Sequence, residues 1–253
     1  MAVEPLAHVD TGGDLPTIVL IHGMTFSKET WAPIVDRLRD RFRCVAVDLP
    51  GHGGSSGSGA DPIAVLARIH ATVAACAAVR PVVVGHSAGA IHATGYAATY
   101  DTAGVVDVDQ SLRVGPFAGF VQQLGPALRG PDFAAAFEPF AASIGVGRLP
   151  EPEQGRVRAT QRIDQQLVLD NWTNVLTVAP DDLQVIIDAL LGRVAVPYLW
   201  LAGGLVADVD RDHLLANVPQ AHVEIWSDQG HMAHLAEPDL FCDRVARFVT
   251  DAG

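Results

Sequence analysis

Basic residues are scarce in this 253-residue chain, and that scarcity excludes some functions. Lys and Arg together number 17 against 29 Asp and Glu, Lys28 is the only lysine, and the formal net charge is −12. A nucleic-acid-binding surface needs a basic patch or stripe, and none is visible. An acidic surface also has little affinity for anionic membranes. We therefore expect neither a nucleic-acid partner nor membrane association.

Long apolar runs and paired cysteines are missing as well. No stretch approaches the ~18 consecutive apolar residues of a membrane span, and no charged start is followed by an apolar signal segment. The cysteines form an odd, scattered set within apolar patterns, which favours reduced, buried thiols over a disulfide framework. They are Cys44, Cys76 and Cys242. These absences predict a cytoplasmic protein.

The composition suits a single globular domain with a large core, because 49% of the residues are hydrophobic and 18% are charged. Short β-branched apolar runs alternate with helical patterns, which predicts an α/β fold with a mostly parallel sheet covered by helices on both faces. From about residue 110 to residue 194, Gly and Pro residues separate segments that all have a helical pattern. We predict an α/β core at residues 1–110 and 195–253 and an inserted helical cap at 111–194. The predicted cap helices are 117–128, 132–144, 158–178 and 182–191, and a short helix at 212–217 follows the cap.

The strongest motif is Gly85-His86-Ser87-Ala88-Gly89. It follows an apolar β-branched run and precedes an Ala- and Gly-rich helical pattern. That strand–turn–helix context distinguishes a nucleophile elbow from a chance Gly-x-Ser-x-Gly match. A side chain at either glycine would collide with the neighbouring strand or helix, so the small residues let the chain turn tightly. Ser87 is therefore the candidate nucleophile.

Other polar residues follow the predicted strands, where ligands of parallel sheets bind. They are His22, Asp48, Asp109 and His231. A serine, then an acid, then a histidine is the chain order of one type of catalytic triad. The pair His231 and His234 lacks the further ligands of a metal site. We predict neither a metal nor a cofactor.

These motifs, in this order, resemble the α/β-hydrolase family. The matching segments span nearly the whole chain: His22-Gly23, the Asp-Leu-Pro-Gly-His-Gly run at 48–53, the elbow, and Gly230-His231. The resemblance implies that His231 is the general base that takes the Ser87 proton, with His234 as the less favoured competitor. It also implies an oxyanion hole made by the backbone N–H groups of Met24 and Ala88.

The acid of the predicted triad has two candidates. Many family members carry an Asp three residues beyond a glycine, after the strand that follows the cap, but Val206 stands at that point here. Asp208 lies just downstream and serves only if the loop is shifted. Asp109 follows the strand after the elbow helix, where haloalkane dehalogenases and zearalenone-lactonase-like enzymes carry a Glu, although many hydrolases have a non-catalytic Asp there. We place Asp109 ahead of Asp208, because a carboxylate at this strand end can orient His231.

The cap is rich in aromatic residues, some of which we expect over Ser87 as an apolar pocket and the rest in the cap core. The predicted pocket contacts are Trp172, Phe117 and Phe137. The expected function is a serine hydrolase that cleaves a small apolar ester or lactone through an acyl-enzyme. A C–C bond hydrolase or thioesterase of the same fold, or a slow-turnover small-molecule receptor, is the alternative. The sequence leaves the oligomeric state open, a homodimer included.

Overall fold

A computed structural model describes residues 3–252, and seven of their segments form one β-sheet. Four of the strands are largely apolar runs that are buried along their whole length. Burial on both faces explains why these runs are continuously apolar rather than alternating. In chain order the strands are β1 (His8–Asp10), β2 (Thr17–Ile21), β3 (Arg43–Val47), β4 (Val82–His86), β5 (Gly104–Val108), β6 (Tyr198–Ala202) and β7 (Ala221–Ile225).

The sheet is parallel except at one edge. Its strand order is β1-β3-β2-β4-β5-β6-β7. Strand β1 runs antiparallel to β3, and every other pair of neighbours is parallel. The chain moves from β2 outwards to β3 and then returns to the other side of β2 as β4. Ligands of such sheets bind in the crevice beyond the carboxyl ends of the strands at this reversal. The predicted mostly parallel sheet is confirmed.

Helices cover both faces of the sheet. In chain order they are α1 (Ala32–Leu38), α2 (Pro62–Ala75), α3 (Ala88–Ala97), α4 (Val114–Arg129), α5 (Phe133–Ser143), α6 (Glu151–Thr160), α7 (Gln165–Asn171), α8 (Thr173–Thr177), α9 (Pro180–Leu191), α10 (Asp208–Asn217), α11 (Ala233–Ala236) and α12 (Pro238–Ala252). Helices α1 and α12 share a core with Ile18 and Leu20 of β2. Helices α2 and α3 share the opposite core with Val19 and Ile21. Alternate side chains of one strand thus pack into two cores, one on each face of the sheet.

The segment between β5 and β6 folds into helices α4 to α9. The single helix predicted at 158–178 is wrong, because this stretch contains the end of α6 and then α7 and α8. Asp164 starts a new helix by accepting a hydrogen bond from the Leu167 N–H at 3.0 Å, and Trp172 separates α7 from α8. The boundaries placed at 110 and 195 remain a prediction.

The structure of residues 3–252 bears on the cysteines and on membrane-spanning helices. The three cysteines are buried and form no disulfide, as predicted, and burial raises the pKa of the Cys44 thiol to about 12. None of the helices described in this range is long and apolar enough to cross a membrane.

Candidate active site

Ser87 occupies a strained turn between β4 and α3. Its backbone has φ 53° and ψ −128°, a conformation that non-glycine residues rarely adopt. A methyl group at Gly85 would collide with the Gly89 carbonyl, and one at Gly89 would collide with the Ile21 carbonyl at the end of β2. The elbow therefore forms because both positions are glycine, which is the steric reason predicted from the sequence.

Asp109 occupies a second turn, directly after β5. Its N–H donates to the Leu201 carbonyl at 2.8 Å, and its φ is 57°. One carboxylate oxygen, Oδ1, accepts from the Gly203 N–H at 2.7 Å. The other, Oδ2, lies 2.7 Å from His231 Nδ1. Strand β6 and its following loop thus fix the direction in which the carboxylate points.

Electrostatics keep the Asp109 carboxylate ionised. Burial by itself would raise the pKa of Asp109, but the hydrogen bond and charge of His231, together with the Gly203 hydrogen bond, lower it. An ionised carboxylate at Nδ1 holds that nitrogen as the donor and leaves Nε2 of the ring free to accept a proton.

A glycine-dependent loop holds His231 in place. Gly230 has φ 71°, and its N–H donates to the Gly203 carbonyl at 2.7 Å. The His231 carbonyl in turn accepts from Nε2 of His86 at 2.8 Å. His86 is buried beneath the elbow, and burial together with neighbouring histidines lowers its pKa well below the usual range. It is a neutral packing residue, which matches its position directly before the serine.

The two alternative residues lie elsewhere. His234 is fully buried against Trp31, with ring centroids 4.7 Å apart, and burial lowers its pKa to about 3. Asp208 is the first residue of α10, which begins four residues before the predicted 212. Its side chain is 82% exposed and pairs with Arg211 at 3.0 Å. The structure thus brings Asp109, not Asp208, to His231.

The candidate oxyanion donors follow β2 and β4, on either side of the chain reversal. Ala88 is the first residue of α3, so its N–H has no acceptor within the helix. Met24 follows a loop fixed by His22, whose Nε2 accepts from the Leu49 N–H at 3.0 Å and whose Nδ1 donates to the Gly23 carbonyl at 2.8 Å. Both residues line the cavity that Ser87 and His231 also line.

This cavity has a volume of about 430 Å³ and lies between the sheet edge and the helices that connect β5 to β6. Within residues 3–252 no hydrogen bond joins Ser87 Oγ to His231, although both face the cavity. Such bonds are often long in ligand-free sites and shorten when substrate binds. No group of three or more His, Cys, Asp or Glu side chains in the described chain is arranged to hold a metal ion.

All three predicted pocket residues line the cavity. Trp172 lies edge-on to Phe117, with ring centroids 5.6 Å apart, and 5.6 Å from Phe137. Trp172 and Phe137 are nearly buried and also belong to the hydrophobic cluster of the helices between β5 and β6, whereas Phe117 is 40% exposed. The pocket and core interpretations therefore both apply to the same residues.

Sequence reasoning missed two ionisable lining residues, His92 and Arg113. His92 follows Ala88 by one helical turn, and the cavity-lining positions 88, 91, 92 and 95 form one face of α3. The helical spacing from Ser87 was the sequence signal that could have placed His92 at the cavity. Burial, and then the charge of His52, lower the pKa of His92 to about 4, so its imidazole is neutral. Arg113 precedes α4 and lies 3.5 Å from Asp210; nothing in its local sequence marks it.

A serine on a strained strand–helix turn, a histidine paired with a carboxylate, and a parallel sheet beneath them define a hydrolase architecture. Residues 18–244 match the model of the alpha/beta hydrolase family. The chain belongs to the α/β-hydrolase family.

Several known proteins are similar over nearly the whole chain. A pimeloyl-[acyl-carrier protein] methyl ester esterase of Xanthomonas campestris pv. campestris (strain B100) is 28% identical over 260 residues, covering 96% of this chain and 98% of the relative. The enol-lactonase from Burkholderia xenovorans LB400 has a TM-score of 0.79 at 18% identity, covering 97% of this chain and 96% of its own. The esterase EaEST from Exiguobacterium antarcticum has a TM-score of 0.78 at 15% identity, with 97% and 95% covered. At these identities the two structures share the fold.

Proposed function

We propose that the chain is a serine hydrolase that cleaves a small apolar carboxylic ester or lactone through an acyl-enzyme. The observation that carries the proposal is the 2.7 Å contact between Asp109 Oδ2 and His231 Nδ1 at a cavity that Ser87 also lines. The esterase name of the curated relative supports the ester bond as the target. The predominantly apolar cavity wall supports an apolar substrate.

In the first half of the reaction, His231 Nε2 takes the proton from Ser87 Oγ as the oxygen attacks the ester carbonyl carbon. Asp109 holds the ring and stabilises the imidazolium. The backbone N–H groups of Met24 and Ala88 stabilise the negative charge on the carbonyl oxygen, at about 3 kcal/mol for each such donor. The intermediate expels an alkoxide, which takes the proton from His231 and leaves as the alcohol. In a lactone this alcohol stays attached to the acyl group.

In the second half, water replaces the alcohol. His231 Nε2 takes a proton from the water as its oxygen attacks the acyl carbon. The bond to Ser87 Oγ then breaks, and the serine oxygen recovers its proton from His231. The products are the free acid and the unchanged enzyme. A serine nucleophile suits this acyl transfer, whereas dehalogenase and epoxide-hydrolase chemistry uses an Asp at this place.

Hydrolysis of p-nitrophenyl acetate, p-nitrophenyl butyrate and a panel of lactones tests the proposal. We expect turnover by the unmodified chain and loss of turnover in Ser87→Ala, because that change removes the nucleophile. Ser56→Ala is the matched control, since Ser56 is exposed in a loop outside the cavity. Near-normal rates in a folded Ser87→Ala variant would contradict the mechanism. No turnover of any ester or lactone would favour a receptor or a C–C bond hydrolase.

A further inference from the structure

Asp107 is a buried carboxyl group two residues before Asp109, and the proposed mechanism does not use it. It is 1% exposed. Its Oδ1 accepts a hydrogen bond from the Gln110 N–H at 3.0 Å, which closes the turn that carries Asp109. Its Oδ2 lies 3.0 Å from the Tyr198 hydroxyl oxygen on β6. One oxygen thus contacts the acid turn and the other contacts the neighbouring strand.

The contact with Tyr198 continues to the serine elbow. The Tyr198 hydroxyl lies 3.0 Å from Thr94 Oγ1 on α3, and the Thr94 hydroxyl donates to the Ala90 carbonyl at 2.8 Å. Ala90 belongs to the first turn of α3, and its N–H donates to the Ser87 carbonyl at 2.8 Å. A row of buried polar groups therefore runs from the acid turn to the turn of the nucleophile.

The number of hydroxyl hydrogens in this row favours one protonation state of Asp107. The row contains three O···O contacts, and a carbonyl oxygen can only accept, so the single hydroxyl hydrogen of Thr94 is used on Ala90. If Asp107 were ionised, Tyr198 would donate to it, and no hydrogen would remain between Tyr198 and Thr94. If Asp107 is protonated, it donates to Tyr198, and Tyr198 donates to Thr94. The protonated form gives each of the three contacts one hydrogen, whereas the ionised form leaves the 3.0 Å contact between Tyr198 and Thr94 without one.

The surroundings of Asp107 favour the same form. Tyr198 from β6 and Thr94 from α3 are uncharged, its partner on β4 is Gly85, and its ladder partner on β6 is Trp200. Burial raises the pKa of Asp107 well above its usual range, and the nearby negative charge of Asp109 adds to the rise.

We propose that Asp107 is a neutral carboxylic acid that positions the triad by joining the Asp109 turn to the Ser87 elbow. The positioning role of Asp107 in catalysis rests on the proposed function. The protonation state of Asp107 is independent of that function, so it can be tested without a substrate.

The first test is the pH dependence of stability, compared with Asp107→Asn. An Asn side chain keeps a donor towards Tyr198 and an acceptor for Gln110, but it does not titrate. A carboxyl whose folded pKa is raised contributes stability that is complete below the unfolded value of about 3.9 and is lost as the pH rises towards the folded pKa. The unfolding constant of the unmodified chain, divided by that of Asp107→Asn, should therefore rise about tenfold per pH unit above pH 5 until that pKa is reached.

Urea unfolding between pH 5 and 8 measures this ratio. Asp36→Asn is the control, since Asp36 is exposed and its ratio should stay constant. A constant or falling ratio for Asp107→Asn would overturn the neutral carboxyl. The measurement needs no substrate, so it remains valid whether or not the chain hydrolyses esters.

The second test separates positioning from plain packing by steady-state kinetics on p-nitrophenyl butyrate. Asp107→Leu removes both polar contacts, and we expect kcat to fall more than tenfold with little change in KM, because a displaced acid turn affects the reaction more than binding. Asp107→Asn should restore kcat to within a few fold. Equal kcat values in folded Asn and Leu variants would overturn the positioning role. If the Leu variant does not fold, Tyr198→Phe gives the same test, and an unchanged kcat there would overturn the role equally.

Discussion

Two adjacent strands of this sheet end in the same unusual way. Ser87 follows β4 with φ 53°, and Asp109 follows β5 with φ 57°. The Ser87 N–H donates to the Val108 carbonyl of β5, and the Asp109 N–H donates to the Leu201 carbonyl of β6. Each residue extends the strand pairing by one hydrogen bond and then leaves the sheet in a left-handed backbone conformation. The same backbone geometry thus presents both the proposed nucleophile and the proposed acid.

The two turns differ in the position of the glycines that leave room for them. The serine turn depends on Gly85 and Gly89, which lie two residues away on either side. The acid turn depends on Gly203, whose N–H holds the carboxylate and where a methyl group would collide with the Gly230 carbonyl. The glycines that the first turn needs are its neighbours in sequence, whereas Gly203 lies about a hundred positions after Asp109.

The largest effect should come from removing the charge of the acid turn while keeping its shape. Asp109→Asn should lower kcat about 10⁴-fold, because the histidine then loses the partner that fixes its tautomer. Asp208→Asn should leave kcat within about twofold, since that side chain pairs with Arg211 at the surface. Steady-state kinetics on p-nitrophenyl butyrate measure both. Loss of activity in Asp208→Asn alone would reverse the assignment of the acid.

A smaller effect should follow from filling the space that each turn needs. Gly89→Ala and Gly203→Ala place a methyl group against a backbone carbonyl, and each should lower the free energy of unfolding by more than about 3 kcal/mol. Gly155→Ala is the matched control, because its helical position has no neighbour within 4 Å, and it should stabilise the protein by about 0.5–1 kcal/mol. Urea unfolding gives all three values. Tolerance at Gly203 alone would show that the acid turn can relax where the elbow cannot.

The smallest effect concerns the opposite pH responses of Asp109 and Asp107. The folded pKa of Asp109 is lowered, so its contribution is present above the unfolded value of about 3.9 and is lost as the pH falls through the folded pKa. Relative to Asp109→Asn, the unmodified chain should therefore lose stability only below about pH 4. Relative to Asp107→Asn, it should lose stability as the pH rises. Thermal unfolding from pH 3 to 8 compares the two, and slopes of the same sign would contradict the contrast.

Most of the sheet could be predicted because each strand is specified by its own residues. The run Thr17–Ile21 can be recognised as a strand, since a continuous apolar β-branched segment has few alternatives in a parallel sheet. The cap was harder. Residues 158–178 were predicted as one helix because their pattern is helical almost throughout. The break depends on a single side chain, the Asp164 carboxylate, which acts as the N-cap of α7.

In the candidate site, too, the features formed by neighbouring residues could be predicted and those formed by distant contacts could not. The elbow could be predicted because its glycines and serine are neighbours in sequence. The acid could only be narrowed to two residues, since Asp109 meets His231 across 122 positions and no local pattern records that contact. His92 lay within reach of a helical-face argument from Ser87, whereas Arg113 could not be found without the fold.

The loop after β6 carries a consequence for protein engineering. In this chain Gly203 supplies a backbone N–H to the Asp109 carboxylate, and Val206 stands three residues further on. Leu205 is 99% exposed, and a side chain at Gly204 would meet nothing within 4 Å. The Leu205 side chain is thus surrounded by solvent, and position 204 has room for a side chain. We expect a peptide tag or a short domain inserted between these two residues to leave the Gly203 hydrogen bonds intact, which makes this loop a suitable attachment point for immobilising the enzyme.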